Sequence, residues 1–183
     1  MKIHLDTDIG GDMDDLCALA MLLKWPDLEV TGLTTASDEN GRRAGYIAYV
    51  LNLIGRTDIP FAAGADVSGG YFRVKPGYPP DEENWPEPIP PRPGSLDAAL
   101  ALLKHSIEQG AVLVGTGPFT NFRLLDEKYP GLLKIATVFL MGGHIYDAPI
   151  GYPQLDNEMD WNIQLDVHSA QYVLEHASPT LVP

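Results

Sequence analysis

The sequence predicts an α/β fold: a mostly parallel sheet with helices on both faces. Three observations predict it. Strand-like and helix-like runs alternate along most of the chain, the signature of βαβ units. The 183 residues suit a single domain, 1–183, long enough to bury a real core. The polar residues with the most chemistry fall directly after strand-like runs, and parallel sheets bind ligands just outside the carboxyl ends of their strands.

The elements follow in order. Lys2–Asp6 reads as a short buried strand. Asp14–Trp25 reads as a helix, apolar almost all round from Leu16 to Leu23, and therefore buried. Pro26 stops it. Leu28–Thr35 is a second strand, and Gly41–Ile54 a second helix with Gly55 at its C-cap. Ile59–Ala63 is a third strand. The pattern then breaks into a proline-rich loop at about 70–94, where eight of the sixteen prolines lie between Phe72 and Gly94. Such a loop reads equally as a functional flap and as a solvated excursion. Ser95–Gln109 restores helical periodicity, with Ser95 as N-cap. Strands at Ala111–Gly115 and Ile135–Met141 enclose a short helix, Asn121–Lys128. Val167–His176 is helical, and Thr180–Val182 begins another strand.

Composition removes several function classes. Twelve Lys and Arg stand against 25 Asp and Glu, a formal net charge of −13. No basic face remains to neutralise phosphates, so no nucleic-acid partner is expected, and an anionic membrane surface is disfavoured on the same ground. No apolar run reaches membrane-spanning length. The N-terminus meets Asp6 with no apolar stretch or cleavage site before it, so no secretory leader is expected. Cys17, the single cysteine, cannot form an internal disulfide. Together these suggest a cytoplasmic setting.

The acids are concentrated. Five aspartates fall between Asp6 and Asp15, directly after the first strand. Gly10 and Gly11 permit a tight turn, and Asp14 and Asp15 reach the N-terminus of the following helix, where the helix dipole favours negative charge. Carboxylates on one turn with no His or Cys among them form a hard oxygen cage, suited to Ca²⁺ or Mg²⁺ rather than zinc or copper. The competing explanation is a capped helix with a solvated acidic turn. That does not well explain five acids beside a buried strand. An EF-hand loop counted from Asp6 fails, because its twelfth position holds Cys17 instead of a bidentate Glu. A phosphohydrolase of the haloacid-dehalogenase type also begins with strand-Asp-x-Asp, but wants Thr or Val and an apolar residue where Gly10 and Gly11 stand.

Two further strand ends carry candidates. Thr116-Gly117-Pro118-Phe119-Thr120-Asn121 turns sharply into a helix, and a backbone carbonyl there is a natural extra ligand for a hard cation. Met141-Gly142-Gly143 leads to a loop ending in Asp160-Trp161-Asn162-Ile163. Asp160 and Asn162 suit hydroxyl groups, and Trp161 a pocket wall or a buried anchor.

In this order the segments resemble the nucleoside N-ribohydrolase family, the inosine-uridine preferring hydrolases. Asp6-Thr7-Asp8-Ile9-Gly10 with Asp14-Asp15 resembles its N-terminal aspartate signature, lengthened here by two residues. Gly32–Thr35, Gly55–Pro60 with Ala63–Ala65, Thr116–Asn121, Met141–Gly143 and Asp160–Ile163 with Asp166 match later motifs. The resemblance implies a nucleoside hydrolase-like, Rossmann-like open sheet. It also implies Ca²⁺-dependent hydrolysis of the N-glycosidic bond of ribonucleosides, giving ribose and free base in purine or pyrimidine salvage.

By that resemblance, Asp8 would bind Ca²⁺ and act as general base on a metal-bound water. Asp15 and the main-chain carbonyl of Thr116 would be further metal ligands. Asp14 and Asn162 would grip ribose hydroxyls, with Asp160 near the 5′-hydroxyl and Met141 lining the sugar pocket. Asn40 would serve as the asparagine that follows the second strand, with Asp38 competing for that role. The partner would be a small-molecule ribonucleoside.

The chain ends at Ser178-Pro179-Thr180-Leu181-Val182-Pro183, which resembles the strand leading into the family's last metal-binding aspartate and a neighbouring histidine. The expectation is a C-terminally incomplete fold with uncovered apolar surface, and hence a homo-oligomer. A non-catalytic Ca²⁺- and ribose-binding remnant is the alternative. A Mg²⁺-dependent phosphohydrolase using Asp6 stands further back, since Met141-Gly142-Gly143 supplies no second acidic pair.

Overall fold

Lys2–Thr7 (β1) is buried along almost its whole length, because it forms the middle of the sheet. The computed structural model describes residues 1–66, 80–145, 147, 149–154 and 160–183. Around β1 stand Glu29–Thr35 (β2), Phe61–Ala62 (β3), Val112–Gly115 (β4), Val138–Met141 (β5) and Thr180–Val182 (β6). The six strands run in the order β3-β2-β1-β4-β5-β6, and all five pairings are parallel. Asp6 sits level with Thr34 on one side and Gly115 on the other. The residues following β1, β2 and β4 therefore emerge side by side at one edge.

The helices are Asp14–Lys24 (α1), Arg42–Leu53 (α2), Asp81–Asn84 (α3), Leu96–Glu108 (α4), Thr120–Lys128 (α5), Leu132–Ile135 (α6), Trp161–Leu165 (α7) and Val167–His176 (α8). They build two cores. Leu5, Leu33 and Val30 meet Leu19 of α1, Ile47 and Leu51 of α2, and Trp85 on one face. Leu113, Val138 and Leu140 meet Leu103 of α4, Phe122 of α5 and Val173 of α8 on the other. Neighbouring residues Leu113 and Val114 of β4 face opposite cores, as the two-residue period of a strand requires.

Several expected boundaries hold. Ser95 caps α4, its hydroxyl accepting from the Ala98 N–H. Gly55 has φ +71° just after α2, a left-handed C-terminal position. Three short helices were not expected. α3 lies inside the proline-rich loop, α6 overlaps the start of the expected strand 135–141, and α7 occupies the motif read as a loop end. Each is four or five residues long, too short to show a helical period in sequence. Residues 70–79 of the expected loop lie outside the described residues.

One expectation is overturned. α1 is not buried all round: only Asp15 and Leu19 are fully covered, while Met21 is 53% exposed and Cys17 is at the surface. A single stripe of α1 meets the sheet, and no described element packs over its outer side. The same is true of one side of β5 and β6, where Phe139, Met141 and Val182 are 38%, 44% and 52% exposed. No helix among the described residues is long and apolar enough to cross a membrane.

Candidate active site

The site is built where β1 and β4 end together. Thr116 N–H donates to the Asp6 carbonyl at 2.9 Å, which seats the loop after β4 against the loop after β1. The approach is close enough that a Cβ on Gly117 would meet Asp8 at 3.0 Å. Asp8 and Asp15 are in hydrogen-bond contact. Asp15 Oδ1 also accepts from the Thr7 hydroxyl at 2.8 Å and from the Thr116 hydroxyl at 2.5 Å. β1, α1 and the loop after β4 thus converge on one carboxylate.

Burial governs the charges. It pushes Asp8 up to about 7, with Asp15 adding to the rise and the Arg43 guanidinium opposing it. Asp15 is pushed up by burial as well, against the Thr116 and Thr7 hydroxyls, which favour its charged form. Two carboxyls in contact and out of water do not both ionise readily. The pair holds a proton between its members or calls for a cation.

Asn162 ties the next strand into the same place. It is 7% exposed, and its amide donates to the Thr116 carbonyl at 2.8 Å and to the Met141 carbonyl at 3.1 Å. Both donors of the side chain hold backbone. The Met141 side chain itself is largely exposed. Asp160 is the N-cap of α7. Its Oδ1 accepts from Ile163 N–H at 3.1 Å and its Oδ2 from Gly143 N–H. It thereby fixes the chain leaving β5 to the helix that carries Asn162.

Asp14 lies exposed in the first turn of α1. Asn40 is exposed too, in a left-handed conformation at φ 56°, and no hydrogen bond among the described residues links it to the cluster. The inward residue after β2 is Asp38, 3% exposed. It accepts from the Thr35 hydroxyl at 2.6 Å, Arg43 N–H at 2.8 Å and Ala44 N–H at 3.1 Å. These bonds anchor the start of α2.

Reading the sequence did not single out three contributors. Arg43 is 5% exposed and donates to the carbonyls of Ile9 and Ser37 at 2.9 Å each. Asn121 donates to Asp6 Oδ2 at 2.7 Å and the Thr35 carbonyl at 2.8 Å, and accepts from Ala65 N–H at 2.9 Å. His4 joins Ser106 at 2.8 Å and Thr34 at 3.0 Å, and the Thr34 hydroxyl donates to Asp6 Oδ2 at 2.5 Å. Only Asn121 had a signal, as the last residue of a quoted motif. An arginine in a first helical turn and a histidine within a strand look ordinary in sequence.

Among the described residues no group of three His, Cys, Asp or Glu side chains is placed to hold a metal. The oxygens present still suit a hard cation: two carboxyls in contact, and a Thr116 carbonyl with one lone pair beyond its Asn162 bond. Asp6 Oδ1 is buried without a partner behind them.

Residues 3–183 match the family model for the inosine-uridine preferring nucleoside hydrolases. The chain belongs to that family. Within it, the pyrimidine-specific ribonucleoside hydrolase RihA of Salmonella schwarzengrund is 28% identical over 193 residues, which take in 100% of this chain and 59% of that protein. RihA of Klebsiella pneumoniae is 28% identical with the same coverage. This chain thus spans 59% of the length of these relatives.

Solved nucleoside hydrolases share the fold. The inosine-uridine preferring enzyme of Bacillus anthracis superposes with a TM-score of 0.69 at 21% identity, over 99% of this chain and 64% of that one. The purine-preferring enzyme of Gardnerella vaginalis gives 0.75 at 21%, over 99% and 60%. Membership of the nucleoside hydrolase family implies a divalent metal, and Asp8, Asp15 and Thr116 offer the oxygens for one.

Proposed function

We propose that this chain carries the metal- and ribose-binding part of a Ca²⁺-dependent ribonucleoside hydrolase, which cleaves the N-glycosidic bond to ribose and free base. The observation that carries this reading is the Asp8–Asp15 pair, lodged against Thr116 where β1 and β4 end. Bound there, Ca²⁺ would supply positive charge to orient the ribose diol and ease water ionisation near neutral pH. Asp8, Asp15 and the Thr116 carbonyl would hold it.

The residues then divide the work. Asp8 accepts the proton of the attacking water, the electron pair of the glycosidic bond leaves with the base, and the base takes up a proton from solvent. As the glycosidic bond breaks, positive charge spreads over the sugar ring, and the Asp14 carboxylate, which grips the ribose hydroxyls, stabilises it. Asn162 has given both amide hydrogens to backbone, which leaves its Oδ1 to accept from a ribose hydroxyl. Asp160 acts by fixing α7, and Met141 flanks the sugar. A site built on hydroxyl contacts rejects deoxyribose, since its polar groups would be left unpaired.

Release of ribose from inosine and uridine by this chain, measured with Ca²⁺ and with EDTA, tests the reading. Expected is Ca²⁺-dependent release that Asp8→Ala lowers by at least about 10²-fold. Ca²⁺ binding without release would establish the binding-module alternative. Phosphohydrolysis through Asp6 is disfavoured by its burial: at 1% exposure, with Thr34 and Asn121 on Oδ2, it is not open to attack a phosphate.

A further inference from the structure

Three successive residues of the aspartate turn are each held from outside. The Ile9 carbonyl accepts from the Arg43 guanidinium at 2.9 Å. Gly10, at φ +110°, abuts the Cδ2–Cε2 edge of the Tyr46 ring, so close that a Cβ there would stand 2.3 Å from those carbons. The Gly11 carbonyl accepts from the Asn84 amide at 3.3 Å. Arg43 and Tyr46 belong to α2, and Asn84 to α3.

A second layer backs the first. Trp85 stacks on Tyr46, with ring centroids 4.6 Å apart and planes within 5°, and Tyr49 meets Trp85 edge-on. Asp81 Oδ1 accepts from the Tyr46 hydroxyl at 2.7 Å and from Arg42 Nη2 at 3.0 Å, while its Oδ2 accepts from Ile89 N–H at 2.9 Å. A short stretch of the proline-rich segment is thereby fastened to α2, and through Tyr46 to the turn.

We propose that residues 81–85 are a strap that clamps the Ile9–Gly11 turn against α2, and that Tyr46, Asp81 and Trp85 are positioning residues for the carboxylates on either side of it. The clamp acts by geometry. Asp8 precedes the held residues and Asp14 and Asp15 follow them, so a loose turn lets the two ends of the carboxylate set drift apart. Preorganised ligands bind a cation more tightly because less freedom is lost on binding. That consequence for a divalent cation rests on the function proposed above, whereas the clamp itself does not.

The test uses this chain free of metal and with Ca²⁺ alone. Backbone order parameters of Gly10 and Gly11 from ¹⁵N relaxation should be near about 0.85 in the parent chain and fall below about 0.6 in Trp85→Ala, with β1 and β4 unchanged. Calorimetric Ca²⁺ affinity should fall by about tenfold. Trp85→Phe keeps the stacked ring and should restore both. Asp81→Ala loosens the strap while leaving every aromatic ring in place, and decides the matter if Trp85→Ala does not fold. Unchanged order at Gly10 and Gly11 in a folded variant overturns the clamp. Lost order in a chain whose parent binds no Ca²⁺ supports the clamp and overturns the metal reading.

Discussion

His4 shows how a single residue can be legible in type and opaque in role. It is fully buried, and burial drives its imidazole down to about 3 from an ordinary 6.5. The ring is neutral. Because the one Thr34 proton goes to Asp6, His4 Nε2 carries the hydrogen given to Thr34, and Nδ1 accepts from Ser106. Below about 6.5 the unfolded chain binds a proton that the native ring refuses until about 3, so His4 removes stability as pH falls through that window. Asp6, raised to about 7, acts in the opposite sense. The two are separated by comparing His4→Gln with the parent in urea titrations. The variant should be less stable by about 1–3 kcal/mol at neutral pH, since it disturbs a buried network. That gap should narrow toward pH 4. A gap that is constant or widens with acid would show that His4 is not titrating as described.

At the scale of elements, α1 carries the clearest lesson. Its sequence is apolar nearly all round, yet only one stripe is used. Leu19 has no exposure and packs with Leu5, Leu33 and Ile47, whereas Met21 stands 53% exposed. Leu19→Ala should cost about 2–5 kcal/mol, the usual range for a buried Leu cavity. Met21→Ala should stay within about 0.5 kcal/mol. Thermal or urea unfolding of the two variants checks the pair. Equal losses would mean that the outer side of α1 is covered in solution. Other elements were read closely from sequence because their signals are local: the Ser95 cap, the Gly55 stop and the β1 run are set by neighbouring residues. α3, α6 and α7 were not, because four or five residues carry no period, and long-range bonds such as Asp81 to Tyr46 hold the first of them in place.

For the whole molecule, the two sides of the sheet are unequal. Helices α1 and α2 close one core over β1 to β3, and α4, α5 and α8 close the other over β4 and β5. Over β5 and β6 no described element covers the first side, and parallel pairing sets Met141 beside Val182 and Phe139 beside Thr180 in one exposed row. Apolar surface arranged in this way favours association. We expect the chain to form homo-oligomers at rising concentration, and Phe139→Ser to lower their fraction. Light scattering that finds a monomer throughout would contradict this. The net charge of −13 opposes assembly, so added salt should promote it.

The sequence by itself determined the fold class, the order of the strands and the longer helices, and the family. Alternating periods, caps and ordered motifs are local signals, and six segments in register are specific together. It also put the aspartates after β1, the Thr116 turn and Asn162 on one list of candidates. Only the tertiary structure decided what each of them touches. Asn162 holds two backbone carbonyls, Asp160 caps a helix, and Asp38 faces inward where Asn40 does not. It alone brought Arg43, Tyr46 and Trp85 to the aspartate turn. The reason is physical. Which strand ends lie side by side, and which face of a helix is covered, depend on pairings between residues as distant in sequence as Asp6 and Asn121, and no local pattern encodes them.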